Sequence, residues 1–303
     1  MKILVSGSTG MVGSELILAL KHAGHEVLRL VRRRGNFTET QVGWDPNKGL
    51  NDLSAIEGLD AVVHLAGENI AGGRWTPERK ERIHDSRVIG TRHLVEALGA
   101  LKQPPKTLVC ASAIGYYGNR GNAALTEVSA HGQGFLARTC RDWEAAAHAA
   151  SSFGIRVVST RFGIILSPKG GVLKAMLCPF RLGLAGNLGN GKQYMSWIAL
   201  DDVIGAIQHV IMNDEIHGPV NVVSPEPVTN AQFTTAMRKT VIPSFLPMHY
   251  WTPPAPALAI QGLLGEMGQE LLLSSQRVKP IRLEETGYHF KYPHLKETLA
   301  ALI

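Results

Sequence analysis

The 303-residue chain has no run of about 18 apolar residues, which argues against a membrane span. Cysteine is scarce. Cys110, Cys140 and Cys178 are widely spaced and odd in number, so free thiols in a reducing compartment are expected rather than a disulfide framework. Twelve histidines include no His-x-x-x-His pair and the cysteines no Cys-x-x-Cys, so no metal site is expected. The net charge of +6 comes from scattered basic residues, apart from Arg32-Arg33-Arg34 and a stretch from Arg74 to Arg92. With no nucleic-acid-binding motif, an anionic small molecule accounts for those clusters better than DNA or RNA. No apolar leader precedes the first strand, so export is not expected and the cytoplasm is the expected location. No membrane partner is expected, and the protein is expected to be a monomer or a homodimer.

What is present is an alternation of apolar runs and helical patterns. Lys2 to Ser6, His25 to Val31, Ala61 to Ala66, Thr107 to Ala111 and Arg156 to Thr160 read as buried strands. Helical spacing covers Met11 to His22, then about 77–101 and 134–151. Strand alternating with helix predicts an α/β, doubly wound parallel sheet, a Rossmann fold, with a smaller C-terminal substrate-side domain. The boundary is placed at 165: residues 1–165 form the dinucleotide-binding domain, its sheet completed by parts of 195–225, and 166–303 form the substrate-side region. There, helices are expected near 201–213 and 229–240. Residues 243–256 hold five prolines and read as a linker or lid. A C-terminal helical segment from about 250 includes a helix over 257–273, followed by a short basic tail.

Gly7-Ser8-Thr9-Gly10-Met11-Val12-Gly13 fits G-x-x-G-x-x-G between a strand and a helix. Its glycines serve a tight turn, close backbone approach to a pyrophosphate and close helix packing, while the helix N-terminus offers free N–H groups to the phosphates. Gly7, Thr9, Gly10, Met11, Val12 and Gly13 are therefore cofactor-binding candidates. The end of the second strand carries Val31-Arg32-Arg33-Arg34 where an NAD site places a carboxylate for the ribose hydroxyls. Guanidinium groups there suit the 2′-phosphate of NADP(H), so Arg32 and Arg33 are its expected ligands; the alternative is a solvated basic turn.

These segments resemble the extended short-chain dehydrogenase/reductase superfamily of nucleotide-sugar epimerases and dehydratases. The resemblance rests on Gly7 to Gly13, Asp60 to Gly67, Val88-Ile89-Gly90-Thr91, Ser112 to Gly118 and Arg161-Phe162-Gly163. More narrowly, Leu65 to Ile70, Pro179 to Leu184, Gly189 to Gln193 and Asn221 to Pro225 look like the epimerase-like subfamily of SDR39U1 or YfcH type, whose activity is unassigned. The resemblance implies that Leu65, Ala66 and Gly67, ending the fourth strand, lie against the adenosine ribose and diphosphate, with Glu68 as a polar contact. Arg87 stands where typical members carry a structural Asn, and with Arg82 it would reach the cofactor phosphates; the alternative is a solvated helix face.

Typical members transfer hydride with a Tyr-x-x-x-Lys pair. With Glu144 as register marker, those positions here hold Leu136 and Cys140. Ser112 stands near the position of the serine that holds a substrate oxygen, with Ala113 as the alternative in that register, and of the nearby phenols Tyr116, rather than Tyr117, is the expected proton donor, assisted by an arginine. Aromatic packing beside the nicotinamide is the alternative for that turn. Arg181, Gln193 and Trp197 are substrate-wall candidates, with domain packing as the competing explanation. Asp201-Asp202 is expected to cap the following helix. The function implied is an NADP(H)-binding, epimerase-like oxidoreductase acting on an unknown carbonyl or alcohol; the alternative is a catalytically degenerate NADP(H)-binding regulator or scaffold.

Overall fold

The computed structural model describes residues 1–32, 38–50 and 52–303. Eight strands make one sheet: β1 Lys2–Ser6, β2 Glu26–Val31, β3 Gln41–Asp45, β4 Gly49–Leu50, β5 Ala61–His64, β6 Thr107–Ala113, β7 Arg156–Phe162 and β8 Gly218–Val222. Their spatial order is β8-β7-β6-β5-β1-β2-β3-β4. All neighbours are parallel except the β3–β4 hairpin. The order reverses beside β1, and in open α/β sheets ligands bind at the carboxyl ends of strands at such a switch point.

Ten helices are present among the described residues: α1 Met11–His22, α2 Pro77–Gly99, α3 Phe135–His148, α4 Gly171–Arg181, α5 Leu200–Met212, α6 Asn230–Val241, α7 Ala257–Leu264, α8 Glu266–Leu272, α9 Ile281–Glu285 and α10 Leu295–Leu302. Successive side chains of a strand face opposite sides, and β1 shows the result. Ile3 and Val5 join α1 and α5 in one core cluster, while Leu4 joins α2 and α3 in another. A third cluster, including Leu173, Phe180, Trp197, Phe233 and Leu299, binds α4, α6 and α10 together.

Three local expectations are corrected, and one element went unread. The hairpin over Gln41–Asp45 and Gly49–Leu50 was not legible, because its strands are short and carry few β-branched residues. The single helix expected over 257–273 breaks at Gly265, whose φ of 60° belongs to neither flanking helix. The tail carries helices α9 and α10. Asp202 does not cap α5, which begins at Leu200. Its buried carboxylate instead accepts the backbone N–H groups of Lys291 and Tyr292 and the hydroxyl of Tyr288, pinning the C-terminal segment to α5.

Candidate active site

The loop between β1 and α1 is shaped by contacts only glycine permits. Gly7 has φ 65°, and a Cβ there would lie 2.8 Å from the backbone of Leu65. A Cβ on Gly13 would drive into the carbonyl oxygen of Gly7. Gly10 closes the turn by donating its N–H to Gly7 at 3.0 Å and leads into α1 with no side-chain cap. The first N–H groups of α1 are thus unoccupied by any cap, and with the helix dipole they form an anion site. Thr9 and Gly10 are exposed at its mouth, with Met11 and Val12 half-buried behind them.

Two buried side chains that sequence reasoning missed hold the facing strand end. Ser6 Oγ accepts the N–H groups of Leu65 and Ala66 at 3.0 and 3.2 Å and lies 2.7 Å from His64 Nδ1. Having accepted two donors, the hydroxyl gives its own proton to Nδ1, so His64 carries its proton on Nε2. Burial pushes the His64 pKa down to about 4. Native His64 is therefore neutral, and stability from this site is fully present above pH 6.5. As pH falls from 6.5 toward 4, the unfolded chain takes up a proton the native state refuses, and about 3 kcal/mol is lost. Urea unfolding at pH 7 and pH 4.5 should show a smaller acid loss for His64→Asn than for the parent; equal losses would refute the assignment.

The segment after β5 is braced from α2. Glu68 accepts at its carbonyl from Arg87 at 3.0 Å and donates its N–H to Ser86 Oγ at 3.0 Å. Arg87 also donates to the carbonyl of Ile83 and stacks on Trp143, with its guanidinium filling the space where a Gly67 Cβ would point. Burial holds its pKa below the ordinary arginine value. Arg87 thus forms a strut between α2 and the Gly67-Glu68 backbone. Arg82, one turn earlier, is exposed. Arg32 is exposed just beyond β2, and Arg33 lies outside the described residues.

Arg161 on β7 forms a two-pronged ion pair with Glu144 of α3, both contacts 2.8 Å. It also donates to the Tyr117 hydroxyl at 2.9 Å, and its Cζ lies 3.5 Å from the centre of the Tyr116 ring. Burial acts to lower the Arg161 pKa, but the Glu144 pair outweighs it and the net direction is up. Ser112 is buried and its hydroxyl donates to Glu144 at 2.6 Å. The expectation that it holds a substrate oxygen gives way: it braces the ion pair. Tyr117 is wholly buried, its one hydroxyl proton faces Asn221 Oδ1 at 2.7 Å and Thr126 O at 3.0 Å, and burial pushes its pKa up to about 12 despite Arg161. Tyr116 is half-buried and, among the described residues, its hydroxyl has no hydrogen-bond partner.

Leu136 and Cys140 pack beside Gly115, at the turn that carries Tyr116. Burial, reinforced by Glu144 and opposed by Arg87, pushes the Cys140 thiol up to about 11, so it is not a nucleophile. The helix bearing these residues starts without a side chain of its own as cap. Glu270 of α8 supplies it, accepting from the N–H groups of Phe135 and Leu136 at 2.7 and 2.8 Å.

The sequence profile of the NAD dependent epimerase/dehydratase family matches residues 3–223, and that of a domain of unknown function, DUF1731, matches 255–302. The chain belongs to the NAD dependent epimerase/dehydratase family. It is 42% identical over 300 residues to the epimerase family protein Mb2239 of Mycobacterium bovis, covering 98% of this chain and 96% of that one. It is 33% identical over 307 residues to epimerase family protein SDR39U1 of Homo sapiens, covering all of both chains. The crystal structure of human SDR39U1 (isoform 2) with NADPH superposes with a TM-score of 0.86, at 33% identity over 100% of this chain and 99% of that one.

In this family member the substrate-wall candidates do not converge. Trp197 is fully buried in the third core cluster and its indole N–H donates to Glu226 O, so its ring is unavailable to a ligand. Gln193 spends its amide N–H groups on the carbonyls of Leu188 and Leu272, and Arg181 is exposed at the end of α4. Gln193 does border a cavity of about 440 Å³, lined also by Asn119, Asn122, Lys192, Gln261 and Gln269. Amides dominate that wall, with Lys192 its one ionised group. The loop bearing Asn119 follows the Tyr116–Tyr117 turn directly in the chain.

Proposed function

We propose that this chain binds NADP(H) and transfers hydride between its nicotinamide and the carbonyl or alcohol of a small molecule. The observation that carries this reading is the uncapped N-terminus of α1 behind the Gly7–Gly13 loop, in a family member that shares its full length with the NADPH-bound human relative. Gly7, Thr9, Gly10, Met11, Val12 and Gly13 take the pyrophosphate, and Leu65 to Glu68 line the adenosine side. Arg32 and Arg33 are assigned to the 2′-phosphate. The nicotinamide, when bound, supplies the hydride. The chain orients it and holds a proton on the hydroxyl of Tyr116, whose ring lies on the Arg161 guanidinium.

The dinucleotide part is assigned to 1–165 and substrate selection to 166–303. Three free thiols and the family's small-molecule chemistry fit a cytoplasmic protein acting as monomer or homodimer.

The test is cofactor affinity. NADPH should quench intrinsic fluorescence at lower concentration than NADH, and Arg32→Ala should weaken NADPH about tenfold while leaving NADH nearly unchanged. Equal affinity for the two cofactors would remove the 2′-phosphate assignment. A second reading, an NADP(H)-binding regulator without turnover, is favoured by one observation: Leu136 and a protonated Cys140 occupy the positions of the usual Tyr and Lys.

A further inference from the structure

The chain's carboxylates avoid two stretches: residues 145–200 and 227–265 contain no Asp or Glu. The fold brings parts of both together. Gly183 packs under Met248, Gly186 approaches the backbone of Pro253, the Gly189 N–H donates to Ala255 O, and Arg238 donates to His249 O. The end of α4, the end of α6, residues 243–256 and the start of α7 thus form one face.

That face leaves large apolar side chains in solvent: Leu182, Leu184, Phe245, Tyr250, Trp251 and Leu258 are exposed, Phe245 at 81% and Trp251 at 66%. Contiguous exposed apolar surface marks an interaction site. Lys174, Arg181, Lys192 and Lys239 come from the same two stretches and are exposed, and among the described residues none of the four forms an ion pair.

We propose that this face docks on an anionic lipid bilayer surface, with the apolar side chains inserted at headgroup depth and the lysines over the phosphates. Trp and Tyr beside aliphatic residues suit the membrane–water interface, and exposed cations that form no ion pair suit anionic lipid. Such a contact lies on the membrane and requires no span, so the lack, among the described residues, of a helix long and apolar enough to cross a membrane does not oppose it. A second copy of the chain fits the face less well, because a two-fold contact would place its cations against their own copies.

Trp251 makes the test direct, since Trp44, Trp75, Trp143 and Trp197 are all buried. The full chain is mixed with vesicles of phosphatidylcholine alone or with added phosphatidylglycerol. Expected results are co-sedimentation and a blue shift of emission with the anionic vesicles only, both reversed by salt. Trp251→Phe should abolish the shift while keeping co-sedimentation. Lys174→Ala and Lys239→Ala should each weaken binding about fivefold, with circular dichroism and NADPH affinity unchanged. No co-sedimentation, or binding indifferent to salt and to both lysines, overturns the proposal. So does a concentration-dependent blue shift without lipid, which would assign the face to self-association.

Discussion

Replacing Arg161 by Met lowers the free energy of unfolding by about 3–5 kcal/mol, read as a fall in the urea midpoint. The size follows from what the substitution strands. The Arg161 side chain is 3% exposed and that of Glu144 15%, so removing the guanidinium leaves a mostly buried carboxylate whose neighbours are the Ser112 hydroxyl and the Cys140 thiol. One hydroxyl does not replace two charge-assisted contacts. The Tyr117 hydroxyl and the Glu127 carbonyl also lose a donor. Arg161→Met combined with Glu144→Leu should recover a large part of the loss, because an apolar pair avoids the stranded charge. If Arg161→Met costs less than about 1 kcal/mol, the pair is not what holds β7 to α3.

That network was only half legible in the sequence, and the reason is geometric. The glycine loop could be read because its demands are local: Gly7 needs a positive φ, and Gly13 must have no side chain. The sheet could be read because β1, β5, β6 and β7 are apolar runs buried on both faces. By contrast, Ser112, Glu144 and Arg161 come from β6, α3 and β7, and only parallel pairing of β6 with β7 sets Ser112 opposite Arg161. Arg161 stood in a family-like triplet and Glu144 served as a register marker, yet nothing in their spacing announced an ion pair. Glu270 was less legible still, since it caps a helix that begins 135 residues earlier in the chain. Trp197 resembles a ligand contact because an aromatic beside a glycine-rich loop reads so until its burial is known, whereas Asp202 reads as a helix cap because the distant backbone N–H groups it accepts are not visible in its spacing.

The largest effect on chemistry is expected at Tyr116. Tyr116→Phe should lower NADPH-dependent turnover by about 10²- to 10⁴-fold, the usual worth of a positioned general acid, once a reducible substrate is found. The same change should leave stability within about 0.5 kcal/mol, because the ring stays on the Arg161 guanidinium and the hydroxyl gives up no intramolecular bond. Tyr117→Phe should behave in the opposite sense. Its buried hydroxyl donates its proton toward Asn221 Oδ1, with Thr126 O also in reach, and accepts from Arg161, so its loss costs about 1–3 kcal/mol of stability with little change in turnover. The two phenols are neighbours in sequence with ring centres 5.4 Å apart, so the contrast separates chemistry from general disturbance of the turn. If both variants keep full turnover, the proton comes from elsewhere and Tyr116 is packing. If the parent binds NADPH tightly but turns over no carbonyl in a broad panel, the regulator reading replaces the enzyme. Leu136 and Cys140 would then mark where the family's usual proton-transfer pair is missing from this chain.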